Sequence, residues 1–515
     1  MKRYALFLLL LLAALLVAGA ARAGATAAWT AKTDPALLAA TAGGDPAEFL
    51  VVLTAQGDTS GAARLGDKTA RGRYVYDTLT AVAARAQAPL RALLDARGVD
   101  YRAYWIHNMI WVRGDRGLVQ ILAARPDVAY VYANTAQQVA LPVPQPQAAR
   151  AAQAAVEWNI AQVNAPQVWA AGVTGQGVVI GGQDTGYQWD HPALKSQYRG
   201  WNGSTAAHAY NWHDAIHADN PNTSPGNPCG FDSPAPCDDQ GHGTHTMGTM
   251  VGTQPDPAVG IGMAPGAQWI GCRNMEDGWG APASYAECYE WFIAPYPFGG
   301  DPFSDGDPSR APDVINNSWS CPPVEGCAAG DVLLAAVEAV RAAGILSVHS
   351  AGNNGSGCET IDTPAAIYDA SFTVGATDHD NVIADFSSRG PVMIDESGRL
   401  KPDVVAPGVD VRSSYLNGGY ATLQGTSMAA PHVAGLAALL ISADPALAGQ
   451  VDALEALITA NSVHLTATQD CGNITNRVPN NVYGWGRIDA LAAYEALEPS
   501  QTWPFHTFVP AAPGQ

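Results

Sequence analysis

Three polar residues interrupt apolar or small-residue stretches of this chain. Asp184 ends the run VVIGGQD, His242 opens the run HGTHTMGTMVG, and Ser427 stands within LQGTSMAAPHVAGLAALL. An acid, a base and a hydroxyl, each at the end of a regular element, are the groups that nucleophilic acyl transfer requires. We therefore treat these three residues as candidates for catalysis.

Two of the candidates have simpler interpretations. His242 and His245 are three residues apart, so they share a helix face and could bind a metal as a pair. Helical zinc motifs, however, place two histidines four residues apart with a glutamate beside the first, and neither condition holds here. Ser427 could be no more than a helix N-cap, which is the commoner role of a serine in such a position.

The residues after Ser427 predict where its helix begins. Pro431 is best tolerated in the first turn of a helix, so we expect the helix to begin near Thr426 or Ser427. The hydroxyl would then lie at the positive end of the helix dipole, beside backbone N–H groups that have no partner within the helix.

The second half of the chain alternates apolar strands with helices. We predict strands within residues 177–186, 312–320, 344–355 and 370–378, and helices within residues 331–343 and 428–441. This alternation predicts an α/β fold in which a mainly parallel sheet is covered by helices on both faces. In such sheets, chemistry gathers at the carboxyl ends of the strands.

The first part of the chain has a different order of elements. Residues 48–55 read as a strand, 71–97 as a helix, 101–114 as paired strands, 118–124 as a short helix and 128–134 as a closing strand. This β-α-β-β-α-β order predicts a small α+β, ferredoxin-like unit. Residues 141–155 contain three prolines and no apolar period, which predicts an exposed linker.

The amino terminus and the cysteines indicate the compartment. Lys2 and Arg3 precede an apolar run over residues 7–17, and Ala21-Arg22-Ala23 offers a small-x-small cleavage site. Residues 1–23 are therefore predicted to be a signal peptide, and the protein is predicted to be secreted without a membrane anchor. Eight cysteines in such a chain favour disulfides. Cys229–Cys237 and Cys321–Cys327 are the natural short-range pairs, but sequence alone leaves the connectivity open.

Composition excludes two classes of partner. The chain has 515 residues, 47% of them hydrophobic, and a formal net charge of −20. This apolar content is typical of a globular protein. The negative charge would repel the phosphates of nucleic acids and the headgroups of anionic membranes, so neither is an expected partner.

Four motifs occur together, and they carry a family resemblance. They are D-T-G at Asp184 with a downstream H-P, H-G-T-H-x-x-G from His242, A-G-N-x-G around Asn353, and G-T-S-M-A-x-P-H-V-A-G around Ser427. The chain resembles the subtilisin-like serine peptidases in these motifs and in their order, over about residues 158–497. The loop that ends in CDDQGHGTH is most similar to the bacillopeptidase F group within that family.

The resemblance implies roles for individual residues. Ser427 would be the nucleophile, His242 the base, Asp184 the residue that orients the base, and Asn353 a donor to the oxyanion. Ser318, Trp319 and Ser320 would form a substrate-binding strand. Trp319 stands where the family commonly has leucine, and Ser320 stands where it has glycine, so the resemblance does not predict the cleavage specificity.

The resemblance also implies how the chain is divided. The amino-terminal unit is similar to the inhibitory propeptide of the same family, although a permanent accessory domain is the alternative. The expected divisions are a signal peptide (1–23), a propeptide (24–140, core 48–134), a linker with the processing region (141–155), a peptidase domain (156–500) and a tail (501–515). The partners implied are protein or peptide substrates and the chain's own propeptide.

No cofactor is expected for the chemistry of this family, and a structural calcium ion is compatible with it. Residues 301–307 are rich in aspartate but lack the ligand spacing of an EF-hand loop, so no calcium ligands are assigned. A non-catalytic member would lack one of Asp184, His242, Asn353 or Ser427, and all four are present. The sequence therefore predicts a secreted serine endopeptidase made as an inactive precursor, with a metallohydrolase or a non-catalytic scaffold as the alternatives.

Overall fold

The computed structural model describes residues 29–144, 156–220, 222–223, 226–254, 260–322, 325, 327, 331–472 and 475–497. The predicted signal peptide, residues 145–155 of the predicted linker, and the tail from residue 501 lie outside the described residues. The description that follows concerns the described residues alone.

The amino-terminal unit is built on a four-stranded antiparallel sheet. Its strands are β1 (Ala47–Leu53), β2 (Tyr101–Tyr104), β3 (Met109–Gly114) and β4 (Val128–Ala133), in the spatial order β2-β3-β1-β4. The helices are α1 (Pro35–Ala40), α2 (Lys68–Asp95) and α3 (Arg116–Ala123), with a 3₁₀ turn at Ser60–Arg64. The helix α2 begins earlier than predicted because the side chain of Asp67 accepts a hydrogen bond from the Ala70 N–H and caps it.

The two faces of this small sheet pack against different partners. Phe49 and Val51 of β1 are buried in a cluster with residues of α2 and α3, such as Leu90 and Leu122. Leu50, which points to the opposite face, belongs to a buried apolar cluster shared with the larger unit of the protein. The unit is therefore docked on the larger one through one face of its sheet.

The larger unit is centred on a seven-stranded parallel sheet. Its strands are β6 (Val179–Asp184), β7 (Trp212–Asp214), β8 (Gln268–Arg273), β11 (Val314–Asn317), β12 (Leu346–Ser350), β13 (Phe372–Thr377) and β14 (Val404–Pro407), in the order β14-β13-β12-β11-β6-β8-β7. Gln183 of β6 lies opposite Asn317 of β11, and Asn317 lies opposite His349 of β12. The carboxyl ends of these three strands are therefore level with one another.

Helices cover both faces of this sheet, which confirms the predicted fold class. The helices α6 (His242–Val251) and α9 (Thr426–Ala443) pack on the face to which Val314 of β11 points, whereas α7 (Pro282–Ile293) and α8 (Leu334–Ala342) pack on the face of Ile315. By length and composition α9 would suit a membrane span, but 89% of it is buried in the protein, as expected of a core helix.

Short elements complete the larger unit. The helices are α4 (Trp158–Gln162), α5 (Ala165–Ala170), α10 (Val451–Ala460) and α11 (Ala490–Glu495), with 3₁₀ turns at Pro308–Arg310 and Pro445–Leu447. The strand β5 (Gln137–Gln138) pairs with β10 (Trp279–Gly280), which pairs in turn with β9 (Met275–Glu276). The strands β15 (Val411–Tyr415) and β16 (Gly419–Leu423) form a hairpin just before α9.

All eight cysteines form disulfides. The predicted pairs Cys229–Cys237 and Cys321–Cys327 are confirmed. The other two are Cys272–Cys288, which joins β8 to α7, and Cys358–Cys471, which joins segments 113 residues apart in sequence. The two longer links could not be inferred from spacing because they depend on the fold.

Candidate active site

Asp184 and His242 are in contact at the carboxyl end of the large sheet. Asp184 is the last residue of β6 and His242 is the first residue of α6. His242 Nδ1 lies 2.8 Å from Asp184 Oδ1, and both side chains are buried. His242 Nε2 has no hydrogen-bond partner among the described residues, although it is buried. The carboxylate thus holds one ring nitrogen and the other remains available.

Asp238, which the sequence analysis missed, fixes the start of the helix that carries His242. Its Oδ2 accepts hydrogen bonds from the N–H (2.9 Å) and the hydroxyl (2.6 Å) of Thr244, and its Oδ1 accepts one from the Gly241 N–H (2.8 Å). The hydroxyl of Thr185, next to Asp184, also donates to Asp238 Oδ1. A carboxylate just before a helix is favoured by the free N–H groups there, which was the available signal.

Ser427 lies at the start of α9, as the sequence predicted, but its hydroxyl is not hydrogen-bonded to His242. Ser427 Oγ donates to the carbonyl oxygen of Ser318 at 3.2 Å, and Ser318 Oγ donates to the Ser427 carbonyl oxygen at 3.0 Å. The second bond is explained by Pro431, which has no N–H to offer the carbonyl four residues before it. The helix begins at Thr426, as predicted. Pro431 lies in its second turn, whereas we had expected it in the first.

Asn353 is held by the residue that precedes Ser427. Its Oδ1 accepts hydrogen bonds from the Thr426 N–H and the Thr426 hydroxyl, both at 2.9 Å. Because the oxygen end of the amide is fixed in this way, the Nδ2 group is directed to the other side. A Cβ atom built on Gly425 would lie 3.5 Å from that nitrogen. Asn353 thus presents a donor beside the start of α9.

The segment from Ser318 to Ser320 extends β11 alongside the start of α9. The side chain of Trp319 is 3% exposed and stacks on Tyr285 of α7, with ring centroids 4.0 Å apart. The tryptophan therefore packs in the core between the sheet and α7. Its side chain therefore leaves almost no surface exposed along this segment.

Two further histidines near the site are held by structural contacts. His245 Nε2 lies 3.1 Å from the Val411 carbonyl oxygen, and burial lowers the pKa of its ring to about 3. His432 Nδ1 lies 2.9 Å from the Met428 carbonyl oxygen, and burial lowers its pKa to about 4. Both rings are therefore neutral near pH 7, and their hydrogen bonds go to groups other than Ser427.

A second group of histidines, partly buried around the buried Glu287, lies where the amino-terminal unit meets the larger one. Glu287 Oε1 lies 2.8 Å from His213 Nε2, and Glu287 Oε2 lies 2.9 Å from His217 Nε2. His217 Nδ1 lies 2.6 Å from Asp232 Oδ1. Burial alone would lower the pKa of His217, but the charge of Glu287 and the hydrogen bond to Asp232 raise it to about 10. Sequence reasoning did not identify this group.

The acidic loop considered for calcium is occupied by local contacts. Asp301 accepts from the Phe303 N–H, Asp305 accepts from the Asp301 N–H, and Asp307 pairs with Arg310. In the described part of the chain, the carboxylates and imidazole that lie close enough to share an ion are Asp378, His379 and Asp380, of which the last two are exposed. The calcium prediction stays untested.

The sequence of this chain is similar to a known protein family and to individual proteins of known name. The model of the subtilase family matches residues 175–486. Bacillopeptidase F of Bacillus subtilis is 37% identical over 408 residues, which is 77% of this chain but 26% of that protein, so the chain spans about a quarter of its length. Subtilisin BL of Lederbergia lenta is 32% identical over 339 residues, or 66% of this chain and 98% of that protein.

Proposed function

This chain belongs to the subtilase family, and on that premise we propose that it is a secreted serine endopeptidase made as an inactive precursor. The observation that carries the proposal is the pair formed by Asp184 and His242. One imidazole nitrogen is bound to a buried carboxylate and the other has no partner among the described residues. A histidine in this state can accept a proton and then be stabilised as a cation.

In the proposed first step, Ser427 attacks the carbonyl carbon of a peptide bond. Its hydroxyl must rotate from the Ser318 carbonyl oxygen toward His242 Nε2, to which it transfers its proton as the new C–O bond forms. Asp184 keeps the imidazole in the tautomer with its proton on Nδ1 and stabilises the resulting imidazolium. The position of Ser427 at the start of α9 favours the negative charge that develops there.

Asn353 is proposed to stabilise that charge. As the tetrahedral intermediate forms, its oxyanion would accept hydrogen bonds from Asn353 Nδ2 and from the Ser427 N–H. The Thr426 contacts that fix Asn353 Oδ1 support this role because they orient the amide before substrate arrives. A donor that is already oriented costs no reorganisation during the reaction.

The intermediate would then collapse and be hydrolysed. His242 gives its proton to the leaving nitrogen as the C–N bond breaks, and an acyl group remains on Ser427. A water molecule, deprotonated by His242, then releases the acyl group as a carboxylate and restores the Ser427 hydroxyl. The steps use only these side chains and water.

Protein substrates in an extended conformation are the proposed partners. Ser318, Trp319 and Ser320 offer backbone groups along the edge of the cleft, and a peptide can pair with such an edge as an added strand. Residues 278–280 offer a second backbone edge, which pairs with residues 137–139 of this same chain. This arrangement supports endopeptidase activity on polypeptides rather than on small esters alone.

We further propose that the amino-terminal unit is the inhibitor of the precursor. Its docking is specific: Glu290 Oε2 on α7 accepts hydrogen bonds from the Trp105 N–H (2.6 Å) and the Ile106 N–H (3.0 Å). Lys68 Nζ of the same unit lies 2.7 Å from Asp313 Oδ1. A permanent accessory domain could make the same contacts, so the release of this unit after cleavage is the point to test. The four disulfides support an extracellular location.

The experiment is active-site labelling of the processed protein. We expect a fluorophosphonate to label the unmodified protein and not the Ser427→Ala variant, and we expect casein hydrolysis to survive chelation of metals. Labelling that persists in Ser427→Ala would contradict the assignment of the nucleophile. Loss of all hydrolysis on chelation, restored by zinc, would favour a metallohydrolase, and a processed protein that takes no label would favour a scaffold.

A further inference from the structure

The segment that leaves the amino-terminal unit passes from β10 to the start of α9, where Ser427 lies. The Thr135 N–H donates to the Glu325 carbonyl oxygen at 2.9 Å, beyond which β5 pairs antiparallel with β10. In this pairing Gln137 lies opposite Gly280 and Gln138 lies opposite Trp279. The backbone of residues 135–138 is therefore already held as an added strand.

The pairing continues to Val139. Its N–H donates to the Gly278 carbonyl oxygen at 2.8 Å. Leu141 stays beside the same glycine, since a Cβ atom built on Gly278 would lie 3.1 Å from Leu141 Cδ1. Gly278, between β9 and β10, is therefore the last point at which this segment is seen to contact that side of the site.

Pro142 is the residue of this segment that lies against the start of α9. A Cβ atom built on Gly425 would lie 3.1 Å from Pro142 Cγ, and it would lie 3.5 Å from Asn353 Nδ2. Gly425 is two residues before Ser427. The ring of Pro142 therefore lies against the start of α9, beside the amide that is proposed to bind the oxyanion.

Three peptide bonds join these two points, and they differ as substrates. The bond between Leu141 and Pro142 is a tertiary amide, in which a ring carbon replaces the hydrogen on the leaving nitrogen and crowds its protonation by a histidine. The bond between Val139 and Ala140 is the farthest from Pro142, because an extended chain advances about 3.3 Å per residue. The bond between Ala140 and Leu141 remains: it ends in an ordinary N–H and lies next to the segment on the start of α9.

We propose that the precursor cleaves its own bond between Ala140 and Leu141, an inference that rests on the proposed function. Ser427 Oγ adds to the Ala140 carbonyl carbon, the C–N bond to Leu141 breaks, and His242 delivers its proton to the Leu141 nitrogen. Water then hydrolyses the ester, which leaves a carboxylate on Ala140 and restores the Ser427 hydroxyl. The released end begins Leu141-Pro142-Val143-Pro144, and the two prolines remove N–H groups that would otherwise pair with the cleft.

The test is the identity of both new ends at the earliest time of processing. The full chain is allowed to process for short intervals and is stopped with acid. Mass spectrometry of the smaller fragment and amino-terminal sequencing of the larger one then follow. We expect the smaller fragment to end at Ala140 and the larger to begin at Leu141. Sampling early separates this first cut from later trimming of residues 141–155.

A pair of variants tests the same bond by the rate of the first cut, which later removal of residues 141–155 does not affect. Leu141→Pro converts the bond to a tertiary amide and should slow the first cut by roughly 10²–10⁴-fold, the usual contribution of a well-placed general acid. Leu141→Ala, the matched control, should be processed near the unmodified rate. Equal processing of the two variants, or a first cut beyond residue 144 by a protein that hydrolyses casein, overturns the bond assignment and leaves the peptidase proposal intact. A full chain that neither processes nor hydrolyses casein overturns both.

Discussion

Two histidine–carboxylate groups of this protein, one buried and one partly exposed, differ in how many imidazole nitrogens have a carboxylate partner. His242 has one nitrogen on Asp184 and the other without a partner among the described residues. His217 has carboxylates on both nitrogens, Asp232 on Nδ1 and Glu287 on Nε2. A base needs a free lone pair, so the second arrangement favours a cation held between two carboxylates and not a catalytic base. Contact with a carboxylate therefore does not by itself identify a catalytic histidine.

The two groups also differ in what surrounds them. The Asp184–His242 pair lies at the carboxyl ends of level parallel strands, next to the start of α9. The Glu287 group lies beside a cavity of about 590 Å³ between the two units, and Tyr104 of the amino-terminal unit donates its hydroxyl to Glu287 Oε2 at 2.9 Å. The first position suits chemistry on a peptide. The second joins two parts of the chain.

The largest expected difference between the groups is in turnover. His242→Ala should lower kcat on a peptide substrate by about 10⁶-fold, the order of loss that removing the triad histidine causes in subtilisin. His217→Asn should leave kcat within several-fold of the unmodified value. Tagged unmodified enzyme can complete the processing of each variant and be removed before the assay. A large loss of kcat in both variants would break the comparison.

Replacing the carboxylate beside each histidine should also lower kcat far more at His242 than at His217. Asp184→Asn keeps the shape of the site but no longer favours the Nδ1–H tautomer or the imidazolium, so kcat should fall about 10⁴-fold with little change in KM. Asp232→Asn, the matched change at His217, should alter kcat by no more than several-fold. Stopped-time assays of peptide hydrolysis measure both, and near-normal turnover of Asp184→Asn would be inconsistent with the proposed role.

Asn353 provides a smaller test of the active site alone. Asn353→Ala removes one donor to the oxyanion, so kcat should fall by about 10²–10³-fold while KM changes little, because the bond strengthens only in the transition state. Asn354→Ala, a neighbouring amide outside the motif position, is the control. A rise in KM with an unchanged kcat would show that Asn353 binds substrate and does not act on the oxyanion.

The smallest expected effect concerns stability and pH. The pKa of His217 is raised to about 10, so the stability contributed by its charged form is complete below about 6.5, its ordinary value, and is lost as pH rises through about 10. In the uncut Ser427→Ala chain, Tm should therefore fall between pH 8 and pH 10.5 by more than it does with His217→Asn added. Parallel Tm curves for the two proteins would rule out this contribution.

Glu287 determines at which acidic pH the same group stops stabilising the fold. Burial would raise the pKa of Glu287, but the charges of His217 and His213 hold it well below its ordinary range. The stability contributed by the ionised carboxylate is therefore present above its ordinary pKa and lost as pH falls through the lowered one. The stabilisation that this group gives to the folded chain should therefore be greatest between these acid and alkaline limits.

Sequence predicted where the candidate catalytic residues lie because each of them stands at the end of a regular element. Asp184 at a strand end and His242 and Ser427 at helix starts were identified from their interrupted apolar runs, and the parallel sheet was identified from strand–helix alternation. These signals are local. The hydrogen bond from Ser318 to the Ser427 carbonyl oxygen was missed because it depends on Pro431 in one element and on a strand more than 100 residues away.

The contact between the units could not be predicted for a related reason. Glu287 and Glu290 lie on an apolar helix, whereas His213 and His217 lie in and just after a short strand followed by a long loop. Only the folded chain brings them together. Asp238 was predictable only in part. Its position four residues before His242 can be read from the sequence, but its hydrogen bonds to Thr185 and Thr244 are seen only in the structure.

The most direct test of the central claim asks which histidine is the base. A peptidyl chloromethyl ketone is expected to bind as a substrate does and to alkylate the ring nitrogen of the histidine that acts as the base. After digestion of the processed, inactivated protein, we expect the adduct on His242 Nε2, with activity lost in proportion to its yield. An adduct on His213, His217 or His245 with the same loss of activity, or inactivation with His242 unmodified, would contradict the account.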